Sequence, residues 1–235
     1  MITIVFDLDG TLVDTAPDLI DTLNIILGDQ GLPTIPYDDA RPLIGGGAKA
    51  MIERALTLER RSASSNEVEA LYTSFVAHYA EHIADRSRPF PGVEAALDRL
   101  TASGCRLAVC TNKLEWLSKR LLDALNLTDR FAAICGQDTF GIQKPDPQVF
   151  HATVKQAGGN PREAIMVGDS VTDIRTARAA KVPVIAVDFG YTDVPVAKLG
   201  ADQVISSFLE LPDAVKALGS VKIGVDDQGF IGQKD

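Results

Sequence analysis

A chain of 235 residues, 46% hydrophobic and 23% charged, has enough apolar material for one large α/β domain or a core with a smaller inserted one. The formal net charge of −9 argues against nucleic acid or an anionic membrane surface as main partner, since both demand basic patches. No apolar run approaches the roughly 20 residues that span a bilayer, and the apolar start Met1-Ile2-Thr3-Ile4-Val5-Phe6 lacks a basic region before it, so the expected address is the cytoplasm.

In chain order, strands are predicted over residues 2–6, 107–110, 132–135, 165–167, 184–187 and 203–205. Most are apolar at consecutive positions, as suits strands covered on both faces. Helical patterns over 93–103, 114–125, 147–157, 171–180 and 209–218 alternate with them, which predicts a parallel sheet. Residues 15–85 break the alternation with helical patterns alone. Leu19, Ile20, Leu23, Ile26 and Leu27 form one apolar stripe, entered at Pro17 and ended by Gly31. Val68, Leu71, Tyr72, Phe75, Val76, Tyr79 and Ile83 form another, behind Ser64 and Glu67 at capping-box spacing. So long an interval away from the sheet needs its own packed unit. The expected organisation is an α/β core over 1–14 and 86–220 with an inserted all-helical cap over 15–85. A tail over 221–235 reads as a hairpin or a frayed end. Cys105, Cys110 and Cys135 are odd in number and read as reduced core residues.

The chemistry gathers at predicted strand ends. The first strand runs into Asp7-Leu8-Asp9-Gly10-Thr11, with both acids on one side just past its carboxyl end, where doubly wound sheets bind ligands. Two carboxylates so close need a cation or a shared proton. The second strand ends in Thr111-Asn112-Lys113, and the fourth in Gly168-Asp169-Ser170-Val171-Thr172-Asp173. A single lysine, Lys144, sits in Gln143-Lys144-Pro145-Asp146-Pro147 before a helix. Singly, Thr111 and Asp169 could be helix N-caps and Lys144 a loop residue; together and in this order they point to a site.

With these four motifs in place the chain resembles the phosphatase branch of the haloacid dehalogenase-like superfamily, from the first strand to about residue 208. The resemblance implies a Rossmann-like parallel-sheet core with a C1-type helical cap. It implies a Mg²⁺-dependent phosphomonoester hydrolase acting through an aspartyl-phosphate. Asp7 would be nucleophile and metal ligand, and Asp9 the acid and base, its backbone carbonyl also facing the metal. Asp169 would complete the protein ligands, with Asp173 holding a metal-bound water or Lys144. Thr111 and Lys144 would bind the phosphoryl oxygens. Oxygen donors throughout suit Mg²⁺ better than Zn²⁺.

Within the superfamily the likeness is nearest to bacterial phosphoglycolate phosphatases, carried by Ile44-Gly45-Gly46-Gly47-Ala48, Thr111-Asn112-Lys113 and Phe189-Gly190-Tyr191. It implies 2-phosphoglycolate as substrate, with Gly45, Gly46, Gly47 and Asn112 joining Thr111 and Lys144 in binding it. The glycine run reads equally as an approach for a small anion or as a hinge. Lys49, Lys113 and Arg41 are candidates for the substrate carboxylate, although an ordinary solvated charge is the favoured reading of each. A phosphatase for a sugar phosphate or pyrophosphate, or a phosphomutase, remains as an alternative. A phosphonate hydrolase would need a Schiff-base lysine, for which Lys49 is the candidate. His78 and His82, four apart, have metal spacing but no third ligand nearby. The expected partner is a small phosphorylated metabolite, and the chain is expected as monomer or homodimer.

Overall fold

The computed structural model describes residues 1–192 and 194–221. Strand β1 (Thr3–Phe6) leads through β2 (Val13–Asp14) into helices α1 (Ala16–Asp29), α2 (Tyr37–Ala40), α3 (Ala48–Leu58) and α4 (Ser65–Glu81). The chain returns through β3 (Arg88–Pro89) and α5 (Val93–Ala102), then continues as β4 (Arg106–Cys110), α6 (Glu115–Ala124), β5 (Ala133–Cys135) and α7 (Pro147–Gln156). It closes with β6 (Ala164–Gly168), α8 (Val171–Ala180), β7 (Val184–Val187), β8 (Gln203–Ile205) and α9 (Leu211–Val221). The hairpin expected in the tail lies, beyond Val221, outside the described residues.

Six strands form one parallel sheet in the order β5-β4-β1-β6-β7-β8. This is the doubly wound order, with β1 at the centre and the chain running outward first to one side and then to the other. Both faces are covered. Ile4 and Phe6 of β1 pack into one apolar cluster and Val5 into the other, which is why the strand reads as continuously apolar. The reversal of chain direction beside β1 opens a crevice at the strands' carboxyl ends, where the chemically promising motifs lie.

The helices of the insertion follow their sequence signals. Pro17 sits in the first turn of α1, and Leu19, Ile20, Leu23, Ile26 and Leu27 are all buried. Ser64 and Glu67 close a reciprocal capping box on α4, whose Val68, Leu71, Phe75 and Tyr79 are buried. Helix propensities differ by less than about 1 kcal/mol per ordinary residue, whereas burying a large apolar side chain is worth roughly 1.5–3 kcal/mol, so packing decides these helices.

The strands β2 and β3 were not predicted. They pair antiparallel, Val13 with Pro89 and Asp14 with Arg88, where the chain leaves and re-enters the sheet region. Two-residue strands carry no periodicity to read. Buried Asp18 of α1 ties the same crossing by accepting from the Arg86 and Ser87 backbone N–H groups and from Ser87 Oγ. Trp116 is 45% exposed on α6. The three cysteines are free thiols.

Candidate active site

Asp7 follows β1, Thr111 follows β4 and Asp169 follows β6, so three neighbouring strands deliver them to one crevice. Lys144, whose side chain is only 1% exposed, reaches Asp7 Oδ1 at 2.9 Å and Asp173 Oδ1 at 2.6 Å. Oxygens of Asp7, Asp169 and Asp173 lie within 4.8 Å of one another, and among the described residues this is the one acidic, His or Cys group able to converge on a cation.

Each member is held by a donor of its own. Asp7 Oδ1 accepts from the Leu8 backbone N–H at 2.7 Å as well as from Lys144. Asp169 accepts from Thr11 Oγ1 at 2.8 Å and from the Tyr191 backbone N–H at 2.9 Å. Asp173 closes the first turn of α8, accepting from Ser170 N and Oγ through Oδ2 while Oδ1 faces Lys144. Asp173 is thereby committed to Lys144 and to its own helix start.

Three buried carboxylates around one ammonium leave an excess of negative charge. Burial first, with Asp173 opposing the pull of Lys144, pushes the Asp7 carboxyl up to about 6. Burial and then Asp173 and Asp7 raise Asp169 to about 7. For Lys144 burial works against the charged form, but Asp173 and Asp7 outweigh it and hold the ammonium well above its usual range. A hard cation among these oxygens would relieve that excess. The donors are all oxygens, which fits Mg²⁺.

Asp7 and Asp9 face a cavity of about 50 Å³, against the roughly 10–15 Å³ that a single water requires. The cavity is large enough for a small molecule. Thr111, Asn112 and Lys113 line it from the core, and Gly45, Gly47, Met51, Phe75, Val76 and Tyr79 from the inserted helices. Gly47 has φ +87°, and a Cβ there would lie 3.1 Å from the Asn112 carbonyl, so this close approach of cap loop to core loop needs glycine. Gly46 lines an adjoining polar groove instead, with Lys49, Glu69 and Gln143.

Some expectations change at this point. Asn112 borders the cavity, and its amide also holds the Lys144 backbone, at 2.9 and 3.1 Å, so its side chain fixes the Lys144 loop as well as lining the site. Lys113 is not solvated: its ammonium meets Asp9 Oδ1 at 3.0 Å and Tyr79 Oη at 2.9 Å. Lys49 stays on the surface beside Glu69, whose hydrogen bond raises the ammonium pKa, opposite to what a Schiff-base lysine needs. Arg41 donates to the Phe189 and Gly190 carbonyls and stacks over the Tyr191 ring. His78 and His82 stack on each other, with Thr22 and Asp85 as polar partners. Thr11 and Tyr79 join the site with no local signal of their own, whereas Tyr191, just past β7, sits at a strand's carboxyl end where the sequence pattern already places it beside a pocket or at the core edge.

Comparison with known proteins gives a consistent picture. A family model described as haloacid dehalogenase-like hydrolase matches residues 4–187. A phosphoglycolate phosphatase of Caulobacter vibrioides is 49% identical over 212 residues, covering 90% of each chain. One from Mesorhizobium japonicum is 50% identical over 205 residues, covering 87% of this chain and 90% of its own. A crystal structure of a predicted phosphoglycolate phosphatase from Haemophilus somnus superposes with a TM-score of 0.83 at 29% identity, over 90% of this chain and 96% of that one.

Proposed function

The chain belongs to the haloacid dehalogenase-like hydrolase family, and from that premise we propose that it hydrolyses small phosphomonoesters, 2-phosphoglycolate foremost, through phosphorylation of Asp7. The observation that carries this reading is the convergence of Asp7, Asp169, Asp173 and Lys144 at the strand ends, with Asp7 and Asp9 facing one small cavity. Relatives at 49% and 50% identity that bear the name phosphoglycolate phosphatase support the substrate.

In this reading residues 15–85 act as the cap and residues 1–14 and 86–220 as the catalytic core. Asp7, Asp169 and the Asp9 backbone carbonyl would hold Mg²⁺. The cation, when bound, would neutralise the carboxylate cluster and the phosphoryl oxygens. Leu8 N–H and Lys144 fix the orientation of the Asp7 carboxylate. A carboxylate oxygen of Asp7 attacks phosphorus as the ester P–O bond breaks, and Asp9 gives its proton to the departing oxygen. Asp9, now a carboxylate, takes a proton from water, which attacks the phosphorus and releases inorganic phosphate, restoring Asp7. Thr111 and Lys144 hold the phosphoryl oxygens during both steps, where charge neutralisation and positioning supply most of the catalysis. Asp173 keeps Lys144 in place. A cavity of this size suits a small phosphorylated metabolite as the partner. The cytoplasm is the proposed setting; among the described residues no helix is long and apolar enough to cross a membrane.

The test is phosphate release, with and without Mg²⁺, from 2-phosphoglycolate, sugar phosphates, pyrophosphate and an aryl phosphate, with Asp7→Ala as control. Mg²⁺-dependent turnover preferring 2-phosphoglycolate and lost with Asp7 is expected. Turnover of the others with little on phosphoglycolate discards the substrate, and none on any discards the reaction.

A further inference from the structure

We propose that Lys113 is the specificity-determining residue of this cavity, reading a carboxylate carried by the same small molecule that presents its phosphoryl group to Asp7. This rests on the phosphomonoester hydrolase reading above and narrows its substrate class to short phosphorylated hydroxy acids.

Among the described residues lining the cavity, Lys113 is the sole cation; the other charged ones are Asp7 and Asp9. Lys144 reaches Asp7 from outside that lining, between Asp7 and Asp173. The two lysines thus divide the work by position, one beside the attacking carboxylate and one facing the space where the rest of the substrate must lie.

The placement of Lys113 comes from the loop that also supplies the phosphate-binding hydroxyl. Its backbone N–H donates to Thr111 Oγ1 at 3.2 Å, so the two residues share one tight turn after β4. A molecule held by Thr111 through its phosphate has its next few atoms within the compass of the Lys113 side chain. In 2-phosphoglycolate one ester oxygen and one methylene separate phosphorus from the carboxylate.

The ammonium is buried, its side chain 6% exposed, and it is held by partners of exchangeable kind. Asp9 offers both oxygens, at 3.0 and 3.3 Å, and Tyr79 its hydroxyl at 2.9 Å, with the ammonium 4.3 Å from the Tyr79 ring centroid. A buried ammonium left without an anion costs several kcal/mol, so it must always face one. A substrate carboxylate is a like-for-like replacement for Asp9, and the exchange leaves Asp9 free to serve the leaving oxygen. Leu19, Met51, Phe75, Val76 and Leu117 make the rest of the wall largely apolar. A neutral polyhydroxylated substrate would surrender its water there with few partners in return, whereas a carboxylate meets one that is already desolvated.

The experiment compares kcat/KM for 2-phosphoglycolate with that for ethyl phosphate, which lacks the carboxylate, in wild type, Lys113→Met and Lys113→Arg. The selectivity ratio is expected to fall at least tenfold in Lys113→Met, chiefly through KM for 2-phosphoglycolate, and to be largely restored by Lys113→Arg. Should Lys113→Met fold poorly, Lys113→Arg against Lys113→Gln supplies the same comparison. Parallel loss on both substrates, with the ratio unchanged, overturns the inference and makes Lys113 a prop for Asp9 alone. A wild type that turns over ethyl phosphate as well as 2-phosphoglycolate also overturns it, while leaving the hydrolase reading intact. A wild type inactive on every phosphomonoester ends both.

Discussion

The Tyr191 hydroxyl donates to the Asp14 carboxylate at 2.8 Å, joining residues 177 apart in sequence. The same oxygen accepts from the Thr15 and Ala16 backbone N–H groups at 2.6 and 2.9 Å, while the Tyr191 backbone N–H donates to Asp169 at 2.9 Å. One residue therefore ties the exit toward the inserted helices to a carboxylate of the buried acidic cluster. Burial, then Asp14, holds the phenol far above its usual pKa, so it stays a donor at any working pH.

Tyr191→Phe should cost about 1–3 kcal/mol, because it strands the Thr15 and Ala16 donors in a buried place. Urea unfolding monitored by circular dichroism measures this. A loss below about 0.5 kcal/mol would mean that water replaces the hydroxyl without penalty.

Lys144→Met should destabilise the Mg²⁺-free protein by about 3–5 kcal/mol, the range for removing one partner from a buried ion pair. Asp7 and Asp173 would then face each other without the ammonium between them. Thermal melts with and without Mg²⁺ should show a larger gain from the cation in the variant than in wild type. An equal gain in both would place the cation away from this cluster.

Mg²⁺ affinity should fall as pH drops through 7 to 6, since a cation must displace protons from carboxyls raised to about 6 at Asp7 and about 7 at Asp169. The linked stability has a definite sign. Both groups hold protons more tightly folded than unfolded, so their contribution is fully present below the ordinary carboxylate range near pH 4 and is lost as pH rises through 6 and 7. Titration calorimetry in buffers of different ionisation heat should detect proton release near pH 6.5. Release that is absent there, or affinity flat from pH 5.5 to 8, contradicts the assignment.

Gly190→Ala should lower Mg²⁺ affinity at least about tenfold. A Cβ there would lie 2.1 Å from Asp169 Cβ, so the carboxylate must move. Gly28→Ala is the contrasting change: nothing lies within 4 Å, and an exposed position in the last turn of α1 should gain about 0.5 kcal/mol. Calorimetry on the first and a thermal melt on the second check the pair.

What could be read from the sequence was set by chemistry that tolerates few residue types. Asp7, Thr111, Lys144 and Asp169 stood out because each followed an apolar strand or preceded a helix in a fixed order, and five parallel pairings place those strands as the alternation suggested. Residues whose meaning depends on distant partners could be named but not placed. Lys113 is one of three candidate cations in the sequence, beside Lys49 and Arg41, until Asp9, 104 positions away, and Tyr79, 34 away, close on it. For Asn112, nothing local shows that Lys144, 32 positions on, also draws on its amide. Local pattern encodes secondary structure and strand-end chemistry; the partners of a buried charge are fixed only by the tertiary fold.

The pairing of Val13 with Pro89 and Asp14 with Arg88 means that the segment between them starts and finishes at one seam. A segment with adjoining ends can be lifted out and replaced as a unit, by recombination or by design, without cutting the sheet. Such a graft would exchange Gly45, Gly47 and Tyr79 while Asp7, Thr111, Lys144 and Asp169 stayed put. Lys113 would stay too, since it belongs to the loop after β4. The two halves of recognition are thus inherited separately, and a borrowed set of helices could broaden or reshape the chamber only around an ammonium that the recipient chain keeps.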